Sequence, residues 1–399
     1  MTQSIIKISN DVSEQLNNFC YIPFHGFTID PNGYLTYCCM DTATQNLSHK
    51  KRLYECVHID DVEDLQEWWE KAYEPVWETY LENKQDCINP CWRCFKSDYR
   101  KGKRPVKESY FRNLKKKKIK WEFDFSSPKV RFLEYSVSNI CNQMCVMCSG
   151  RNSSQWIDFD EQFGRRKQKI TRISNDAIDK IKKIIPDLSV IFLKGGEPFA
   201  DVKNMEILEY VAEVNPDCTI YTTSNIQTIS KKNFNIIKKL KNLKINASID
   251  GIDKIYDWIR GGNFKKMIEN AERLYYESGH KIEPATTISI YNFFNLKEIL
   301  DYFYDKPYVQ WSQCYNAVEW PNWSSIKCLP KKAFDETMLN YKDIFRQYNR
   351  VGFGNLFEYE NNYSDELFND AKKYTETMNY IRGFDITDYV PELKKLFNH

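Results

Sequence analysis

No stretch of this sequence approaches the roughly 18 consecutive apolar residues of a membrane span. No spanning helix is therefore predicted, and no membrane partner is expected. A charge of one sign is also missing: 57 Lys and Arg face 55 Asp and Glu, a formal net charge of +2. That balance gives no global attraction to nucleic acid. The opening stretch MTQSIIKISNDVSEQ has neither the basic start nor the apolar run of a secretory signal, so the cytoplasm is the expected compartment. In that reducing environment the 13 cysteines do not read as a disulfide framework. Clustered thiols there bind metal or do redox chemistry, and isolated ones serve as small buried hydrophobes.

The cysteines are unevenly spread. Cys20, Cys38, Cys39, Cys56, Cys87, Cys91 and Cys94 fall in the head of the chain, and Cys141, Cys145 and Cys148 form a compact second group. Cys218, Cys314 and Cys328 stand alone, the first two in predicted strands. At 399 residues the chain has room for one large domain and a smaller one. Four parts are expected: a cysteine-rich head at 1–100, a basic linker at 101–128, a central domain at 129–330 and a helical extension at 331–399. In the head, FTIDPNGYLTYCC reads as a hairpin turning at Pro31-Asn32-Gly33. A Trp-rich helix is predicted over Val62–Leu81. The KGKR and KKKK runs read as a solvated linker or as a landing surface for an acidic partner.

From Lys129 the pattern alternates. Strands are predicted at 129–139, 189–196, 219–225, 243–250, 282–292 and 308–316, with helices at 175–185, 204–213, 231–240, 264–277 and 296–304. Strands alternating with helices at this spacing imply βα units and a parallel sheet. The predicted fold class is α/β, a partial (β/α)6 barrel. A helix at 331–348 and a last helical piece near the C-terminus complete the chain.

Cys141-Asn-Gln-Met-Cys145-Val-Met-Cys148 is C-x3-C-x2-C, in the loop after the first predicted strand of the barrel. Functional residues of βα barrels gather on such loops. A [4Fe–4S] cluster normally takes four cysteines. Three leave one iron open to a reactant, as an open coordination position does in other metal centres. The competing assignment is zinc with a missing fourth ligand, and none of the five histidines lies near this loop.

This loop, in this place, resembles the radical S-adenosylmethionine (SAM) superfamily. Lys194-Gly195-Gly196-Glu197-Pro198 at the second strand end is similar to that family's GGEP motif. Thr223-Ser224-Asn225 closes the third strand, where relatives often carry Thr-Asn-Gly. Ser248-Ile-Asp250-Gly251 closes the fourth and resembles Ser-x-Asp-Gly, and Ile259-Arg260-Gly261-Gly262 resembles an Arg-Gly element. The likeness spans roughly 129–316. It implies a [4Fe–4S] cluster with Cys141, Cys145 and Cys148 as its three protein ligands, and SAM as co-substrate. The SAM-binding residues it implies are Gly195, Gly196, Glu197, Ser224, Asn225, Ser248, Asp250 and Arg260. Glu197 and exposed backbone would take the amino group, and Ser248 and Arg260 the carboxylate. Reductive cleavage of SAM would yield a radical that abstracts hydrogen from the substrate. One position departs from the family: Met147 stands where an aromatic residue is common.

The head, C-x12-G-x4-C followed by C-x2-C on Cys20, Cys38, Cys91 and Cys94, resembles the twitch form of the SPASM module, here placed before the barrel. That implies an auxiliary [4Fe–4S] cluster. A four-cysteine zinc site has similar spacing, and Cys39 and Cys87 compete as ligands. Expected partners are an external electron donor and a substrate, a peptide or protein in preference to a small molecule. The alternative function is a non-catalytic interaction module with a structural zinc head.

Overall fold

A computed structural model describes residues 7–9, 22–38, 56–82, 122–311, 315–348, 356 and 361–398. Cys20, Cys39, Cys87, Cys91, Cys94, Cys314 and most of the basic segment lie outside the described residues. The chain divides into two compact units. One is made of 1–138, 171–194 and 206–220, the other of 139–170, 195–205 and 221–399.

In the first unit, β1 (Lys7–Ser9) pairs antiparallel with β4 (Glu122–Asp124), so strand structure reaches into the end of the expected linker. A short helix, α1 (Ile22–His25), leads into β2 (Gly26–Ile29), which turns back through β3 (Leu35–Thr36). The turn forms as its residues dictate. Asp30 accepts the amides of Asn32 at 2.8 Å and Tyr34 at 3.0 Å, and Gly33 takes φ +86°, a conformation natural to glycine. On its other side β2 runs parallel to β5 (Phe132–Ser136), which runs parallel to β6 (Val190–Lys194). All of β5 is buried, as expected for a strand covered on both faces. The Trp-rich helix, α2 (Leu65–Leu81), buries Trp69, Tyr73 and Trp77 at i, i+4 and i+8, one helical face. Its Trp77 ring meets Phe123 at 4.9 Å and Trp69 at 5.1 Å. Helix α3 (Asn175–Ile184) begins where Ser174 accepts the Ala177 amide at 2.9 Å, a side-chain N-cap.

Helix α4 (Val202–Val214) and strand β7 (Thr219–Ser224) are shared by the two units' segments. The second unit continues with α5 (Lys231–Ile237), β8 (Leu243–Ser248), α6 (Asp253–Arg260), α7 (Phe264–Ser278), β9 (Ile282–Ile288), α8 (Leu296–Phe303), β10 (Tyr315–Ala317), α9 (Lys331–Gln347), α10 (Asp365–Arg382) and α11 (Pro391–Phe397). Strands β8, β9 and β10 are parallel neighbours, and β9 alternates buried and half-buried positions along its length. The fold is α/β, with mostly parallel strands alternating with helices.

Three elements differ from expectation. The last barrel strand is shorter than 308–316. Its described part begins at Tyr315, paired with Thr286, and Val309 forms an isolated bridge to Ile282. Helix α6 was not anticipated, because eight residues between glycines give little periodicity. Helix α10 has no bounds of its own among the predicted helices, although Phe368, Ala371, Tyr374, Thr375 and Met378 are buried at helical spacing.

His25 ends α1, buried, and its pKa falls to about 4, first through burial and then through the Arg131 charge. The unfolded chain takes up this proton near pH 6.5 while the folded chain resists it. Stability is therefore full above about pH 6.5 and declines as pH falls toward about 4. Denaturant titrations of the parent and His25→Gln should diverge across that window, the parent losing about 3 kcal/mol more. Parallel curves would contradict the assignment.

Candidate functional site

The second unit opens on the loop after β5. Residues 139–152 form no strand and no helix beyond a turn, so their carbonyls must find partners elsewhere. Side chains supply them. Ser154 Oγ donates to Cys141 O at 3.2 Å, Ser153 Oγ to Gln143 O at 2.6 Å and Trp156 Nε1 to Cys145 O at 2.9 Å. Arg165 Nη1 reaches Cys148 O at 2.5 Å and Asn139 Nδ2 reaches Gly150 O at 2.8 Å. From α10, Tyr374 Oη donates to Val146 O at 2.7 Å and Arg382 Nη2 to Met144 O. The loop is thus fixed by its backbone, and Cys141, Cys145 and Cys148 carry free thiols.

The two glycines at 195 and 196 follow. Both take positive φ, +79° and +53°. The Glu197 amide bonds Ile140 O at 2.8 Å, and a Cβ on Gly196 would stand 2.1 Å from that same oxygen. Only glycine allows this approach of two backbones. Glu197 is buried, and three groups meet its carboxylate: Ser224 Oγ at 2.5 Å, the Asn225 amide at 2.7 Å and the Phe199 amide at 3.2 Å. Asn225 Nδ2 in turn donates to Asn142 Oδ1 at 2.8 Å. Glu197, Ser224 and Asn225 are therefore one hydrogen-bonded assembly with the cysteine loop, and Gly196 leaves room for it.

Ser248 is buried at the end of β8. Asp250, fully buried two residues later, pairs with Arg260 Nη1 at 2.9 Å and accepts the Thr287 amide at 2.7 Å. The Arg260 Nε is buried without an acceptor among the described residues. The Arg260 carbonyl lies 3.5 Å from Cys145 Sγ.

Burial pushes the Cys141 thiol up to about 12, helped by Cys145 and Glu197. Cys148 also rises to about 12, through burial and then its two companion cysteines. Cys145 rises by burial against the opposing charge of Arg260. Three such thiols ionise together only with positive charge among them, which is what a metal centre supplies. Among the described residues no group of three His, Cys, Asp or Glu is gathered as around a single ion. In an iron–sulfur cubane each thiolate takes a different iron, so its ligands need no such close gathering. The donor set and the orphaned Arg260 Nε fit an anionic cluster bearing a carboxylate ligand.

Residues 135–301 match the sequence model of the radical SAM superfamily. The central region of this chain belongs to the radical SAM superfamily. That region is a radical SAM domain, and membership implies SAM and a [4Fe–4S] cluster. The crystal structure of Streptococcus suis SuiB bound to S-adenosylmethionine is 17% identical, with 83% of this chain and 71% of that chain covered and a TM-score of 0.41. SuiB bound to its precursor peptide SuiA gives 15%, 83%, 71% and 0.41. BtrN in complex with AdoMet and 2-DOIA gives 14% identity over 38% of this chain and 54% of that one, with a TM-score of 0.28. No curated protein sequence matches the chain.

Within the radical SAM region, Arg165 and Trp156 carried no signal in the sequence reading. The Arg165 guanidinium lies 4.7 Å from the Trp156 ring centroid and 5.2 Å from that of Trp320, a cation–π arrangement. Buried Asp160 holds it from the other side at 3.7 Å. Arg382 and Tyr374 lie beyond the matched region, and nothing in their spacing linked them to the cysteines. Glu319 pairs with Lys327 at 3.0 Å on the exposed surface. Met147 is half-exposed beside Cys148. In the head, Cys38 is half-buried just after β3, and its three expected co-ligands lie outside the described residues. Cys218 and Cys328 are buried, as core residues would be. No helix among the described residues is long and apolar enough to cross a membrane.

Gly164 also has positive φ, +64°, but a Cβ there meets nothing within 4 Å. Gly164→Ala should cost about 1 kcal/mol, the left-handed penalty alone. Gly196→Ala should cost about 3 kcal/mol, because backbone must move as well. Denaturant unfolding of the metal-free chain separates them, and equal losses would show that the approach to Ile140 does not require glycine.

Proposed function

We propose that Cys141, Cys145 and Cys148 hold a [4Fe–4S] cluster through three irons and leave the fourth for SAM. The supporting observation is the loop itself: the carbonyls of Cys141, Gln143, Met144, Cys145, Val146 and Cys148 are held by side chains from outside it, leaving three thiols on one loop. Gly195 and Gly196 bring backbone close to Ile140 and so border the SAM amino group. Glu197 organises that edge through Ser224 and Asn225. Arg260, anchored by Asp250, keeps a buried N–H for the SAM carboxylate, with Ser248 beside it. When bound, such a cluster would supply one electron to the SAM sulfonium, breaking a carbon–sulfur bond to give methionine and a radical able to take hydrogen from the substrate. Around it, the chain's own residues bind, orient and exclude water.

Cys20, Cys38, Cys91 and Cys94 are proposed to hold an auxiliary [4Fe–4S] cluster in a twitch-like head at 1–100, joined by the basic segment 101–128 to a barrel at 129–330 and an extension at 331–399. With four thiolates every iron is closed, so this cluster does not bind SAM. The substrate is a peptide or protein in preference to a small molecule, following from the family resemblance. An external donor provides the electron. The cytoplasm, where thiols stay reduced, suits both clusters.

The test is anaerobic loading with iron and sulfide. The parent should show broad visible charge-transfer absorption, about eight irons per chain, and 5′-deoxyadenosine formation from SAM and dithionite. Replacing Cys141, Cys145 and Cys148 by Ala should abolish that product and leave the head's absorption. Continued SAM cleavage by the triple variant would refute the loop assignment. About four irons plus one zinc would replace the auxiliary cluster with a structural zinc site.

A further inference from the structure

We propose that Arg382, carried on the C-terminal helix α10, is a fixed counter-charge for the cluster on Cys141, Cys145 and Cys148, one that favours its one-electron reduction; the idea rests on the cluster assignment above. Three arginines converge on the cysteine loop. Arg165 and Arg260 each have a carboxylate, Asp160 at 3.7 Å and Asp250 at 2.9 Å. Arg382 has none among the described residues. Among the described residues its guanidinium donates to two carbonyls, to Trp258 O at 2.8 Å through Nε and to Met144 O through Nη2. Met144 adjoins Cys145, so the Arg382 guanidinium is held against the backbone of the cysteine loop.

The position is built rather than incidental. Gly261, at φ +62°, ends α6, and a Cβ there would lie 2.8 to 2.9 Å from the Arg382 guanidinium. A side chain at 261 would collide with it. Trp258 Nε1 donates to Asn379 Oδ1 at 2.8 Å, one turn before Arg382, and pins α10 against α6. A half-buried cation without a carboxylate partner carries a desolvation cost. An anionic cluster beside it would offset that cost.

The sign of the effect follows from charge. Three thiolates outweigh the oxidised cubane core, so the site is net negative and becomes more so on taking one electron. A fixed positive charge in a medium of low dielectric favours the more negative state. Cluster potentials respond to net charge, hydrogen bonds and exposure, and here the chain applies the first from outside the matched superfamily region.

The experiment is an EPR-monitored redox titration of the loaded full chain without SAM. The signal followed is the one that the Cys141, Cys145 and Cys148→Ala variant lacks. Arg382→Gln, which removes the charge, should lower the one-electron reduction equilibrium about tenfold, 59 mV toward negative potential. Arg382→Lys, which keeps the charge, should stay close to the parent. Tyr374→Phe, which removes a hydrogen bond to the same loop but no charge, should also stay close. An unchanged potential in Arg382→Gln overturns the proposal, and so does an equal fall in Arg382→Lys or Tyr374→Phe. If Arg382→Gln takes up no cluster, Arg382→Lys decides: loading with the parent potential supports the charge role, and failure to load overturns it. Absence of the signal in the parent would instead sink the cluster assignment, a separate result.

Discussion

A loop that must present three thiols cannot rely on a helix or a sheet to satisfy its own backbone. In this chain the solution is a set of side-chain donors applied from outside. Ser153, Ser154, Trp156 and Arg165 come from the segment just after the loop, and Tyr374 and Arg382 from a helix more than two hundred residues later. Each buried carbonyl left without its donor would cost about 1–3 kcal/mol. The chain after β5 is therefore held in one path without regular structure, and the cysteine side chains are left for ligation.

The same economy governs the charges. Asp250 is fully buried and would not stay ionised alone; Arg260 and the Thr287 amide hold it. Glu197 has no cation in contact among the described residues and relies on two amides and a hydroxyl. It raises the Cys141 thiol and is itself raised by burial. Rigid, fully bonded carboxylates beside unpaired thiols make a site prepared for an added group, since the geometry is set before binding.

Much of this was legible in the sequence, for identifiable reasons. The C-x3-C-x2-C spacing is local, and so are the glycines at 195 and 196, whose positive φ is the physical content of their motif. Strand and helix positions in the central region follow hydrophobic periodicity, which the structure keeps from β5 to α8. Arg165, Tyr374 and Arg382 were not legible, because their roles depend on contacts that no spacing encodes. The Trp-rich helix was recognised as a helix, but its aromatic face buried against Phe123 was not foreseen. Helix α10 was missed for a different reason: its buried stripe is interrupted by many charges.

The most direct measurement of the central claim is the Mössbauer spectrum of chain loaded with ⁵⁷Fe, recorded before and after SAM is added, in a Cys91→Ala, Cys94→Ala background that removes the expected head cluster. The account predicts that one iron of the remaining cubane changes its isomer shift on SAM addition while its three cysteine-bound neighbours do not. A spectrum in which no iron responds to SAM, or in which all respond alike, would contradict it.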